Sequence, residues 1–130
     1  MNVKLLRKVK KHILENPKRL FMGRWIKRKS ETPYLSFGEG KKRPFPPCGT
    51  AACIAGWTCI LSKHQISDNQ STGELATNLL DINELQASRL FGPHAWPSKY
   101  QAGIKDNGTK KTAKIAAARI EHFIKTKGAE

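Results

Sequence analysis

The sequence predicts an all-α fold: one helical domain over residues 1–130, built as a compact bundle of about five short helices with one irregular loop or small hairpin at about residues 27–47. Three observations carry this. Apolar residues recur at three- and four-residue steps through most of the chain. Cap and stop signals punctuate it at Asn16-Pro17, Ser71, Asn83 and Gly92-Pro93. And 130 residues with 38% hydrophobic content suit a single core.

From Asn2 to Glu15, Leu5, Leu6, Val9 and Ile13 form one apolar side and Lys4, Arg7, Lys8 and Lys11 the other, which predicts an amphipathic helix with a basic outer face. Asn16-Pro17 stops it and opens a short second helix through Leu20, Met22, Trp25 and Ile26. Between Lys27 and Pro47, Gly and Pro break the pattern. There, Tyr34 to Phe37 either pairs across Gly38-Glu39-Gly40 with Lys41 to Phe45, or the segment is a mobile functional loop. Thr50 to Ser62 is apolar around the whole cylinder and reads as a central helix. Its thin side at Ala52, Ala55, Gly56 and Cys59 is suited to receive Ala113, Ala116 and Ala117 of the last helix. Ser71 with Glu74, and Asn83 with Gln86, match capping boxes for two further helices, the second ending at Gly92-Pro93. The last helix, about Lys110 to Lys125, sets Ala113, Ala116, Ala117, Ile120, Phe123 and Ile124 against Lys111, Lys114 and Lys125.

The charge is segregated. Ten of the fourteen net positive charges fall in the first 29 residues, where eleven Lys and Arg face the single acid Glu15. Cys48 to Tyr100 holds three basic and four acidic residues. Such a distribution points to a polyanion, nucleic acid first and an anionic membrane surface or an acidic protein surface next. The expected anion-binding residues are Lys4, Arg7, Lys8, Lys11, Lys18, Arg19, Arg24, Lys27, Arg28 and Lys29, extended by Lys41, Lys42 and Arg43 in the loop and by Lys111 and Lys114. Tyr34, Phe37 and Phe45 are stacking candidates among those loop cations, or anchors of the loop to the core. Trp25, Trp57 and Trp96 sit among apolar neighbours and read as core aromatics. No helix-turn-helix or zinc-finger pattern supports base-specific duplex reading.

Three cysteines cannot all pair internally, and no apolar run precedes a small-residue cleavage site, so the cytoplasm is the expected location. No stretch approaches the roughly 20 apolar residues of a spanning helix. Cys48 is expected at or just before a helix N-terminus, where the thiolate is favoured. A hydrolase using Cys48 with His94 is the catalytic alternative, although no following sheet is apparent to carry its partners. Along a continuous helix Cys48 and Cys59 would stand roughly 16 Å apart, so one metal ion cannot hold both. No metal or other cofactor is expected, and Cys53 and Cys59 read as small buried hydrophobes.

The segment Cys48-Gly49-Thr50-Ala51-Ala52-Cys53-Ile54-Ala55-Gly56-Trp57 opens with a Cys-Gly-x-x-Ala start similar to that of some papain-like and bacteriocin-processing cysteine peptidases. Taken whole, it resembles the Cys-Gly-Thr-x-x-Cys-Ile-Ala-Gly-Trp core of a set of small uncharacterised proteins from bacteria, including cyanobacteria, and their phages. Leu5-Leu6 with Val9, Asn16-Pro17, Met22 with Trp25, Leu79-Leu80, Gln86-Ala87, Arg89-Leu90-Phe91 and Trp96-Pro97 extend the resemblance over most of the length. It implies a helical domain with a mobile-element association and carries over no catalytic residue. The expected function is therefore a non-enzymatic basic protein that binds an anionic macromolecule through its N-terminal helices. The alternative is an inhibitor or adaptor docking on an acidic or nucleic-acid-binding surface of a host or defence protein.

Overall fold

The computed structural model describes residues 1–22, 26–27, 51–63, 71–104 and 108–130. Among them the chain forms α1 (Val3–Glu15), a 3-10 turn at Pro17–Arg19, β1 (Ile26–Lys27), β2 (Ala51–Ala52), α2 (Ile54–Leu61), α3 (Thr72–Leu80), α4 (Glu84–Phe91), a second 3-10 turn at Pro93–Ala95, α5 (Ser98–Gln101) and α6 (Lys110–Lys125). The fold is all-α. Its two strands have two residues each and pair antiparallel, Ile26 opposite Ala52 and Lys27 opposite Ala51.

α1 begins where its sequence says it should. The Asn2 side chain accepts from the Leu5 N–H at 3.0 Å and donates to the Leu79 carbonyl at 3.2 Å, so one residue caps α1 and fastens it to the end of α3. Its inner stripe, Leu6, Val9 and Ile13, is wholly buried. α1 packs most extensively on α6 and also lies against α2 and α3. Each of those aliphatic side chains contributes about 1.5–3 kcal/mol by leaving water. All eight residues of α2 are buried, as its lack of a polar side predicted. Trp57 and Trp96 are core rings whose indole N–H groups donate to the carbonyls of Arg19 and Leu90, both at 3.0 Å.

Three local expectations are overturned, all by backbone pairing or packing between distant segments. The helix expected through Leu20, Met22, Trp25 and Ile26 is not found at Leu20, Met22 or Ile26, the described residues among them. After Pro17–Arg19 the chain extends, Leu20 bridges to Ala52, the Phe21 N–H donates to the Ala52 carbonyl at 3.0 Å, and Ile26–Lys27 is a strand. Lys27 thus belongs to a strand and not to the start of a loop. The second helix starts at Ile54 and not at Thr50, because Ala51 and Ala52 are taken by β2 despite their helical propensity. Cys53, with an extended backbone, is its N-cap, so Cys48 lies six residues ahead of the first helical residue and not at the helix N-terminus. Finally, Ala113, Ala116 and Ala117 are buried, but the main partner of α6 is α1, while α2 packs on α3. Trp25, the proposed pairing of Tyr34 to Phe37 with Lys41 to Phe45, and Cys48 itself lie outside the described residues.

Of the two capping boxes expected, the second forms whole and the first by its Ser71 half alone. Ser71 accepts from the Glu74 N–H at 3.1 Å, and Asn83 with Gln86 makes the reciprocal capping box of α4. Gly92 ends α4, and α6 spans Lys110–Lys125 as expected. Beyond α6 the Gly128 N–H donates to the Phe123 carbonyl at 2.8 Å with Gly128 at φ 77°. That left-handed φ favours glycine, and a Cβ there, 2.5 Å from Gln86 Nε2, would also push the Gln86 side chain aside at the start of α4.

Two leucines of α1 that differ in burial, Leu6 and Leu14, make a direct test. Leu6→Ala should lower unfolding stability by about 2–5 kcal/mol. Leu14→Ala, at a side chain 41% exposed, should change it by less than about 0.5–1 kcal/mol. Denaturant midpoints read at constant slope measure both, and equal losses would contradict the packing described here.

Candidate functional site

Burial of Leu6, Val9 and Ile13 fixes the rotation of α1, and with it the direction of its charges. Lys4, Arg7, Lys8 and Lys11 all emerge on the exposed side. Lys4 and Arg7 have no ion-pair partner among the described residues. Lys11 stands 3.8 Å from Glu15, but both side chains are mostly exposed and such a pair contributes at most a few tenths of a kcal/mol. Lys8 is more committed: its Nζ donates to the Leu61 carbonyl at 3.1 Å, closing a free carbonyl at the end of α2.

α6 runs antiparallel to α1. The Gly108 N–H just before α6 donates to the Leu20 carbonyl just after α1, and Lys10 Nζ donates to Glu121 Oε2 at 2.9 Å farther along. Residues 114, 121 and 125 are seven and four apart, so Lys114, Glu121 and Lys125 make one stripe. On α1 the spacing of three and four joins Arg7, Lys10 and Leu14. The Lys10 and Glu121 pair crosses the seam between the stripes. Hydrogen bonding from Lys10, and then the charges of Lys10, Arg7 and Lys125, hold the Glu121 carboxyl below its usual range. The result is a flank of two helices carrying Lys4, Arg7, Lys11, Lys114 and Lys125, with Glu121 and Glu15 as its only acids among the described residues.

Lys18 is exposed on the turn after α1 and adjoins this flank through Gly108. Arg19 turns inward, its guanidinium carbon 5.0 Å from the Trp57 ring centre. Lys111 leans the other way, with its Cε 3.0 Å from where a Cβ on Gly103 would sit, on the α5 side of α6. Lys27 is placed by its backbone in β1. Arg24, Arg28, Lys29, Lys41, Lys42, Arg43 and the stacking candidates Tyr34, Phe37 and Phe45 lie outside the described residues.

A groove of about 800 Å3 opens between α3 and α4, with buried Met22, Cys53 and Phe91 on its floor and exposed Glu74, Glu84 and His94 at its rim. Burial pushes the Cys53 thiol up to about 11, and burial together with Cys53 pushes Cys59 up to about 12, so neither supplies a thiolate at neutral pH. Both act as core residues, as expected. Among the described residues no three His, Cys, Asp or Glu side chains gather to hold a metal ion, and no helix is long and apolar enough to cross a membrane.

Five side chains with roles here were not singled out from the sequence: Lys10 and His12 of α1, and Leu14, Glu121 and Arg119. Glu121 and Leu14 are legible by spacing once the α6 and α1 stripes are drawn. Arg119 is fully buried: its Nη2 donates to the Arg89 carbonyl at 2.9 Å, while Nε and Nη1 have no partner among the described residues. Its spacing from Thr112, Ala116 and Phe123 places it on the inner side, and only the assumption that arginine faces water hides this. Comparison with protein-family models, curated proteins and solved structures finds no match to this chain.

His12 lies beside the flank, its ring 4.2 Å from that of Trp57 and its Nε2 buried without a partner among the described residues. Burial, and then the nearby Arg19 charge, lower its pKa, against a smaller upward pull from Glu15. The native state therefore resists a proton that the unfolded chain accepts near pH 6.5. Stability is full above that pH and falls as pH drops from there toward the depressed native value. His12→Asn should flatten this part of the stability profile between about pH 7.5 and 5 relative to the parent protein. Superimposable profiles would show that His12 is not the titrating group.

Proposed function

We propose that this protein binds nucleic acid through the α1 and α6 flank, without catalysis. The observation that supports this reading is the outward row of Lys4, Arg7 and Lys11 beside Lys114 and Lys125, against which the flank sets only Glu15 and Glu121 among the described residues. An ordinary solvated surface interleaves both signs, whereas a one-signed flank in a chain of net charge +14 favours phosphates, whose condensed counterions are released on binding. A cytoplasmic setting accords with such a ligand. The resemblance of the Cys48 to Trp57 segment to phage and bacterial proteins supports a mobile-element association.

Leu14, 41% exposed within the Arg7 and Lys10 stripe, supports a second reading. An apolar side chain ringed by cations suits docking on the acidic or nucleic-acid-binding surface of a host or defence protein. Nuclease treatment separates the two, since a complex with protein survives it and a complex with nucleic acid does not.

Replacing Lys4, Arg7, Lys11 and Lys114 together by Ala should leave the helical circular dichroism and melting cooperativity intact, because none of the four is buried. It should weaken nucleic-acid binding and reduce the salt slope by roughly one unit for each phosphate that is no longer neutralised. Lys8 is left in place because its amine closes α2. An unchanged slope would remove this flank from the interaction.

A further inference from the structure

We infer that the α1 and α6 flank tracks the phosphates of a double helix from outside its grooves, without reading base sequence. This rests on the nucleic-acid reading above and specifies the form of the ligand.

Width is the first reason. A helix with its side chains is about 10–12 Å across, and packed helix axes lie about 8–10 Å apart, so the flank is roughly 20 Å wide. The major groove of a duplex is only about 12 Å wide and admits a single helix. α1 cannot enter alone, because α6 is held beside it along the Lys10 and Glu121 seam and by the buried Leu6, Val9 and Ile13. The pair must therefore lie across the phosphate rims.

Length and chemistry agree with that placement. Lys4 to Lys11 spans about 10 Å of helix axis and Lys114 to Lys125 about 16 Å, giving two rows of cations on either side of a seam. Duplex phosphates likewise come as two rows. The outward stripes of α1 and α6 contain lysine, arginine, alanine, leucine and glutamate, with no aromatic ring and no Asn or Gln. Rings are what single-strand binders use as stacking platforms, and amides are what read adenine edges. Arg7 is the one arginine on these stripes, and Glu121 on the facing stripe lowers the local potential it works in.

Glu121 then sets the strength of the whole surface. It is the carboxylate between the rows, and it offsets the repulsion of Lys10, Arg7 and Lys125 when no ligand is present. Glu121→Gln keeps a hydrogen-bond acceptor for Lys10 and removes the charge.

The test measures the intact protein against three unrelated 20-base-pair duplexes and the single strands that compose them, across a salt series, with the parent and E121Q proteins. The expected result is equal affinity among the duplexes, weaker binding of the single strands, and a uniform gain for E121Q on every duplex. A preference of about fivefold or more for one duplex would signal base reading and overturn the inference, as would tighter binding of single strands. Either outcome leaves the nucleic-acid reading standing. No binding of any strand form at low salt overturns both. Should E121Q melt at a lower temperature, the gain is read at a temperature where both proteins are folded, and its absence there counts against the flank.

Discussion

Burial of one apolar stripe on α1 constrains the rest of this molecule. Leu6, Val9 and Ile13 have no exposed surface, and they meet α6, α2 and α3 together. A helix held on one side has no rotational freedom, so its remaining side chains point where geometry sends them. In α1 those side chains are cations. The concentration of charge on one flank is therefore a consequence of packing, and removing the apolar stripe would scatter the charge as surely as it would loosen the core.

Magnitudes explain why the arrangement tolerates its own repulsion. Two like charges about 10 Å apart in water oppose each other by about 0.4 kcal/mol, and salt reduces this further. Three buried aliphatic side chains at about 1.5–3 kcal/mol each outweigh several such pairs. The Lys10 and Glu121 contact, with both side chains about one-third exposed, adds little stability, but it places a negative charge where the two basic rows come closest. In the proposed complex a phosphate backbone would reverse the sign of the remaining repulsion.

Much of this was legible in the sequence, for reasons that differ between elements. α1 and α6 are long enough for the 3.6-residue period to declare both faces, and the caps at Ser71 and Asn83 are local chemistry that a few residues specify. The start of α2 was not legible. Ala51 and Ala52 favour helix by propensity, yet their backbone groups pair with Leu20, Phe21 and Ile26 from far earlier in the chain. Nothing in a short window around Ala51 encodes that partner. The same holds for the seam: the two basic faces could be read separately, but their juxtaposition depends on α6 choosing α1 over the thin side of α2. Small residues on α2 admitted a close neighbour, and α3 took the place.

The most direct measurement is a lysine acetylation footprint, read by mass spectrometry with and without a saturating duplex. Packing that aims the α1 and α6 stripes at a common ligand predicts protection of Lys4, Lys11, Lys114 and Lys125. Lys99 on α5 and Lys127, whose carbonyl accepts from Gln86 of α4, should stay as reactive as in the free protein. Protection confined to Lys99 and Lys127, or spread evenly over all lysines, would contradict a single binding flank set by the buried side of α1.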